Sequence, residues 1–100
     1  MPLPPEQCQS MAEVRAGVDA LDAELIALLA GRFAYMRAAA RIKPSREAVR
    51  DEARKAEVIA NAQRWAAEQG LPAASIGQLW EQLVEASIAY ELDEWDRNEF

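Results

Sequence analysis

One long stretch without a helix-breaking residue constrains this chain more than any other feature. Ser10-Met-Ala-Glu13 is a capping-box pattern, which is typical of a helix start, and no proline follows until Pro44. The pattern predicts one helix from Ser10 to Lys43, about 50 Å long at 1.5 Å per residue. A compact monomer of 100 residues is only about 35 Å across. Because its own chain cannot cover such a helix, we predict an intertwined homodimer in which each long helix packs on both subunits.

Two further helices complete the predicted fold. The second runs from about Ala48 to Gln69 and stops at Gly70, a residue that favours the left-handed C-cap. The third starts near Pro72 and continues almost to Phe100. Apolar residues repeat at helical spacing in all three segments, and strand alternation is nowhere evident. The sequence therefore predicts an all-α protein with three helices per chain, one of them very long.

The chain contains no histidine and a single cysteine, Cys8. A Ser-His-Asp or Cys-His arrangement cannot be built from it, nor can the usual zinc sites or an intramolecular disulfide. We expect no metal and no cofactor. Any enzyme made from this chain must work with carboxylates, lysine, arginine, hydroxyls and position.

The formal net charge is -6, which argues against nucleic acid and against an acidic membrane surface as partners. The opening Met-Pro-Leu-Pro-Pro-Glu-Gln has neither the basic start nor the apolar core of a signal peptide. No stretch approaches the roughly 18 apolar residues of a membrane span. The expectation is a cytoplasmic protein with Cys8 as a reduced thiol.

Two cations occupy the apolar stripe of the first helix. At 100° per residue, Arg32 and Lys43 fall in line with the stripe that Val14 begins. A lone cation on such a stripe usually extends to solvent on its aliphatic stem, but two on one stripe predict a site that offers them to an anion. Arg15 lies on the flank of the stripe, where it is either a surface arginine or faces the other subunit.

The third helix also carries polar residues on its apolar stripe. Ser87 and Glu91 interrupt it; the hydroxyl can bond back to its own helix, whereas the glutamate should pair with a basic residue or be protonated. Eight of the eleven basic residues lie between Arg32 and Lys55, and Arg54 could project toward the same site. Several cations, one hydroxyl and one carboxylic acid suit a small dianion, a dicarboxylate for example.

The combined spacing resembles the all-helical chorismate mutase family, from about position 8 to the end of the chain. The Glu6-x-Cys8 opening and the Arg-Trp-Ala-x-Glu-x-Gly-Leu run from Arg64 to Leu71 resemble its isochorismate-pyruvate lyase sub-group. The motifs that carry the resemblance are Arg15-x-x-x-Asp19-x-x-Asp22, Leu28-Leu29-Ala30-Gly31-Arg32, Lys43, Val49-Arg50-Asp51-x-x-Arg54 and Ser87-x-x-x-Glu91.

The resemblance implies a domain-swapped dimer with two active sites that mix residues of both chains. Residues 1–9 would be an N-terminal extension, and 10–100 a type II chorismate mutase domain. Arg32 would bind a substrate carboxylate, Lys43 a carboxylate and the ether oxygen, and Arg15 would reach in from the other subunit. The remaining implied site residues are Glu91 beside the ether oxygen, with Asp51, Arg54 and Ser87 binding the substrate.

Two positions depart from the mutase pattern. Glu91 stands where glutamine is usual, and it must be protonated to donate a hydrogen bond. Lys55 stands where a glutamate would hold the ring hydroxyl, which leaves open whether the substrate is chorismate or isochorismate, whereas Ser87 fits the mutase pattern.

The resemblance implies a chorismate mutase of aromatic amino acid biosynthesis. One alternative is an isochorismate-pyruvate lyase that makes salicylate. The other is a non-catalytic helical dimer that binds an anion or a partner helix.

Overall fold

A computed structural model describes residues 2–98 of the chain, and these residues form helices and no strand. The long helix α1 spans Met11–Ile42, α2 spans Glu52–Glu68 and α3 spans Ala73–Asn98, with short 3₁₀ turns at Pro5–Gln7 and Arg46–Ala48. The prediction of an all-α chain with one very long helix is confirmed. The predicted continuation toward Phe100 reaches beyond the described residues.

The start of α1 carries the predicted capping box. The Glu13 amide donates to Ser10 Oγ at 3.2 Å, while Glu13 Oε1 accepts from the Ser10 hydroxyl at 3.1 Å and from the Gln9 amide at 2.9 Å. These hydrogen bonds, the one from Gln9 first, lower the pKa of the Glu13 carboxyl. Orphan amides at the start of a helix are thereby satisfied by the chain's own side chains.

The start of α2 differs from the prediction, which began that helix near Ala48. The chain first makes the turn at Arg46–Ala48, and α2 begins only after Asp51, whose carboxylate accepts the Arg54 amide at 3.0 Å. A capping aspartate defines a helix start more strongly than periodicity does. The other end is as predicted: Gly70 has φ 74°, the left-handed conformation that lets the chain turn toward α3.

The chain divides into two compact units, Met1–Ala34 and Tyr35–Phe100. In the first unit the apolar side chains of α1 are largely exposed, with 59% of Leu21 and 71% of Leu28 accessible to solvent. The first unit does not cover these side chains by itself, and the homodimer stays a prediction. The exposed apolar residues of this part of α1 are Met11, Val14, Val18, Leu21, Leu25, Ile26 and Leu28.

In the second unit, α2 packs against α3. The buried core consists of Val49, which precedes α2, and of Val84 and Ile88 from α3; Val58, Ile59 and Leu92 pack against it. Small residues of α2, Ala62 and Ala66, are also buried. This core gives α3 a fixed inner face, and that face carries Ser87 and Glu91. Among residues 2–98, no helix has the length and apolar character needed to cross a membrane.

Candidate active site

Lys43 and Glu91 form an ion pair between the residue that follows α1 and the inner face of α3. The distance from Lys43 Nζ to Glu91 Oε2 is 2.6 Å. Glu91 is 4% exposed, and no other acidic or basic residue of the described chain is as deeply buried. A carboxylate on an apolar stripe was expected to be paired or protonated, and here it is paired.

The two groups of this ion pair do not satisfy each other completely. Lys43 Nζ donates to the Val49 carbonyl at 3.2 Å. Glu91 Oε2 is buried and accepts no hydrogen bond of acceptable geometry from residues 2–98, although it touches the ammonium. An ammonium carries three donors, and a buried carboxylate oxygen without a hydrogen bond is costly. This arrangement can therefore hold a further polar group, such as an oxygen of a ligand.

Ser87 lies one helical turn before Glu91 on the inner face of α3 and is 3% exposed. Its hydroxyl donates to the Leu83 carbonyl at 2.7 Å, which is the local bond back to its own helix that a serine at this position was expected to be able to form. The i, i+4 spacing nevertheless brings Ser87 to the same face as Glu91.

A cleft of about 410 Å³ adjoins Lys43. The indole Nε1 of Trp95 is buried and donates to no acceptor within residues 2–98. By its spacing Trp95 belongs to the apolar stripe of α3, so its indole donor was not anticipated; its position four residues after Glu91 is the signal that could have indicated it. The cleft is lined by Ala40, Arg41, Lys43, Trp95 and Asn98, and the guanidinium, ammonium and amide groups among them suit an anion.

Asp51 and Arg54 contact each other. No described contact joins either of them to Lys43 or Glu91. Asp51 caps α2 by accepting the Arg54 amide. The Arg54 guanidinium is exposed and forms an ion pair with Glu57 on the same helix. An arginine held only by a neighbour on its own helix surface is available for exchange with a ligand, because exposed pairs contribute little to stability.

Arg15 and Arg32 belong to α1 in the first unit. Arg15 is exposed, and Arg32 is half-buried. Each was expected to bind a substrate carboxylate, and for both residues that role stays a prediction.

Two further side-chain contacts, one hydrogen bond and one ion pair, connect the region around Lys43 to α3 and were not predicted from the sequence. Arg37 donates to the Tyr90 hydroxyl at 2.8 Å, next to Glu91. Arg46 binds Asp96 through two nitrogens, at 2.9 Å and 3.3 Å, and its guanidinium lowers the pKa of the Asp96 carboxyl. On α3, the partners in these contacts lie on either side of Glu91 along the chain.

Comparisons with known proteins show which family the chain is similar to. The family described as chorismate mutase type II matches residues 14–92, a range that contains all seven predicted site residues. The chain is also 33% identical over 91 residues to the isochorismate pyruvate lyase of Pseudomonas aeruginosa, and the similarity covers 91% of this chain and 90% of that protein. The resemblance found in the sequence is confirmed. The chain belongs to the chorismate mutase type II family.

Proposed function

We propose that this protein is a chorismate mutase, which rearranges chorismate to prephenate. The observation that carries the proposal is the Lys43 ammonium held 2.6 Å from the buried Glu91 carboxylate. The rearrangement is pericyclic, so the protein does not need a covalent nucleophile or an obligatory proton shuttle. It needs only to hold a dianion in its reactive conformation and to stabilise the negative charge that develops on the ether oxygen.

In this proposal each cation has its own contact with the substrate. Arg32 binds one substrate carboxylate, and Lys43 binds a carboxylate and the ether oxygen. Arg15 of the partner subunit binds the same substrate. The residues proposed to orient the rest of the substrate are Asp51, Arg54 and Ser87.

Glu91 has two proposed states. Without substrate it is the charged partner of Lys43. With substrate, a proton on Glu91 would release the ammonium toward the ether oxygen and add a second donor to that oxygen. A charged Glu91 beside the developing negative charge would instead oppose the reaction.

The proposal includes a homodimer, and the exposed apolar side chains of α1 support it. Leu21 and Leu79 are equally exposed, at 59% and 60%, but Leu21 belongs to the row of apolar residues on α1 and Leu79 lies on α3. We expect Leu21→Glu to convert a dimer into monomers in sedimentation equilibrium, because a buried charge is costly. The matched control Leu79→Glu is expected to stay dimeric. A wild-type protein that sediments as a monomer at all concentrations would contradict the proposal.

The second candidate is an isochorismate-pyruvate lyase, which would use the same cations to release pyruvate and leave salicylate. The observation that favours it is the 33% identity to a protein that bears this name. The presence of Lys55 where mutases of the family are expected to carry a glutamate also favours it. Ser87, which fits the mutase pattern, favours the mutase.

The decisive experiment gives the purified protein each substrate separately. We expect prephenate from chorismate with a higher kcat/KM than that for salicylate from isochorismate; the reverse order would assign the lyase. Arg32→Ala should reduce kcat/KM by roughly a hundredfold, because it removes a charged contact to the substrate. Arg64→Ala, which removes an exposed arginine that stacks on Trp65, is the matched control and should change it by less than about twofold. Turnover that Arg32→Ala leaves unchanged would favour the non-catalytic alternative.

A further inference from the structure

Five charged side chains connect the start of α2 to α3 in a continuous set of ion pairs. Glu85 is at its centre: its two oxygens accept from Arg50 Nη1 and Nη2 at 3.0 Å and 2.8 Å, and Oε2 also accepts from Lys55 Nζ at 2.7 Å. Arg50 Nη1 donates to Glu52 at 2.8 Å, and Lys55 Nζ donates to Glu81 at 2.7 Å. We call this set, Arg50, Glu52, Lys55, Glu81 and Glu85, the α2–α3 ion network.

The network is more than a collection of independent surface pairs. The Lys55 side chain is only 15% exposed although it carries a charge. The pKa of Glu85 is lowered to about 2, first by the hydrogen bonds from Arg50 and then by those from Lys55. Bidentate arginine contacts and shared partners are the conditions under which ion pairs hold a geometry.

What the network holds is the chain next to Lys43. Val49 immediately precedes Arg50, is 3% exposed and belongs to the core with Val84 and Ile88. Its carbonyl accepts the hydrogen bond from Lys43 Nζ. The two hydrogen bonds from Arg50 to Glu85 therefore hold the residue that directly follows Val49. The Val49 carbonyl in turn orients the Lys43 ammonium beside Glu91.

We propose that the α2–α3 ion network positions Lys43 for turnover through the Val49 carbonyl, which makes Arg50 and Glu85 positioning residues. The inference rests on the proposed function in one respect, since it takes Lys43 as the group that contacts the reacting oxygen. When the network is broken, the segment at Val49 loosens and the ammonium loses its second anchor. The substrate still binds, but its ether oxygen contacts a Lys43 ammonium that is less well ordered.

Four variants test this: Glu85→Gln, Arg50→Gln, the double variant, and Glu68→Gln as a matched control that removes one negative charge from an exposed position of α2. Because a misplaced catalytic group costs up to about a hundredfold in rate, a partly retained one should cost about tenfold. We expect Glu85→Gln to lower kcat about tenfold and to change KM by less than about twofold. The kcat of the double variant should lie within about twofold of that of either single variant, since all three variants lack the Arg50–Glu85 ion pair.

Amide hydrogen exchange separates positioning from folding. At a temperature where every variant is folded, the Ala48 and Val49 amides should exchange at least about fivefold faster in Glu85→Gln than in wild type or Glu68→Gln. If Glu85→Gln does not fold, Arg50→Lys takes its place, because it keeps the positive charge and loses the bidentate contact. The loss of kcat and the increase in amide exchange rate should then each be about threefold.

Unchanged kcat in the network variants would overturn the inference, as would a lower kcat without faster exchange at Val49. Wild-type protein that converts neither chorismate nor isochorismate would instead overturn the proposed function. In that case the exchange rates at Ala48 and Val49 would still decide whether the network holds this segment.

Discussion

Replacing Lys43 with methionine should destabilise the fold strongly, because it leaves the Glu91 carboxylate buried without its partner. At 2.6 Å and an effective dielectric constant of about 20, the attraction between the two charges is about 6 kcal/mol before desolvation. Desolvation of Glu91, whose side chain is 5% exposed, and of Lys43, at 29%, offsets much of that attraction. We expect Lys43→Met to lower the free energy of unfolding by about 3 kcal/mol.

The matching variant Glu91→Gln should cost less. It leaves a lysine that still reaches solvent and still donates to the Val49 carbonyl, so a loss of about 1 kcal/mol is expected. The double variant should resemble Glu91→Gln, since it contains no unpaired buried charge. The coupling energy of the cycle is then about 3 kcal/mol.

Urea denaturation at fixed pH measures the free energy of unfolding of the wild type, the two single variants and the double variant. It must use one protein concentration, because unfolding that is linked to self-association depends on it. The m-value should stay constant, so that changes in midpoint report stability alone. Equal losses for the two single variants, with additive losses in the double variant, would refute the reasoning, because they would mean that solvent already neutralises the pair.

Two other predictions follow from particular groups. The lowered pKa of Glu85, about 2 against an ordinary value of 4.5, stabilises the fold above pH 4.5, and this contribution is lost as pH falls toward 2. The difference in urea midpoint between wild type and Glu85→Gln should therefore disappear over that range, and a constant difference would contradict the assigned ion pairs. Gly70→Ala should cost about 1 kcal/mol in the same urea assay because its φ of 74° is unfavourable for a side chain, whereas no loss would mean that the turn relaxes.

The helices were predictable because their signals are local. The Ser10 capping box, the absence of proline before Pro44 and the glycine at position 70 each act within a few residues. The start of α2 was misplaced because the turn at Arg46–Ala48 interrupts the periodicity and Asp51 provides the cap. A short 3₁₀ turn has little periodicity of its own to read.

The candidate site was predictable only as a set of misplaced polar residues. Lys43 and Glu91 were conspicuous because a charge on an apolar stripe needs a compensating partner. That they compensate each other was not readable from either helix. Trp95 looked like an ordinary apolar residue, because its buried Nε1 becomes notable only when its surroundings are known.

What the sequence determined by itself is the helical content, the excess length of α1 and the identity of the residues that do not fit their stripes. The tertiary structure decided the partners: Lys43 meets Glu91, and Arg50 and Lys55 meet Glu85. The reason is physical. Helix formation depends on contacts within a few residues along the chain, whereas an ion pair between distant residues depends on how separate segments pack against α3. Many pairings satisfy the same local pattern.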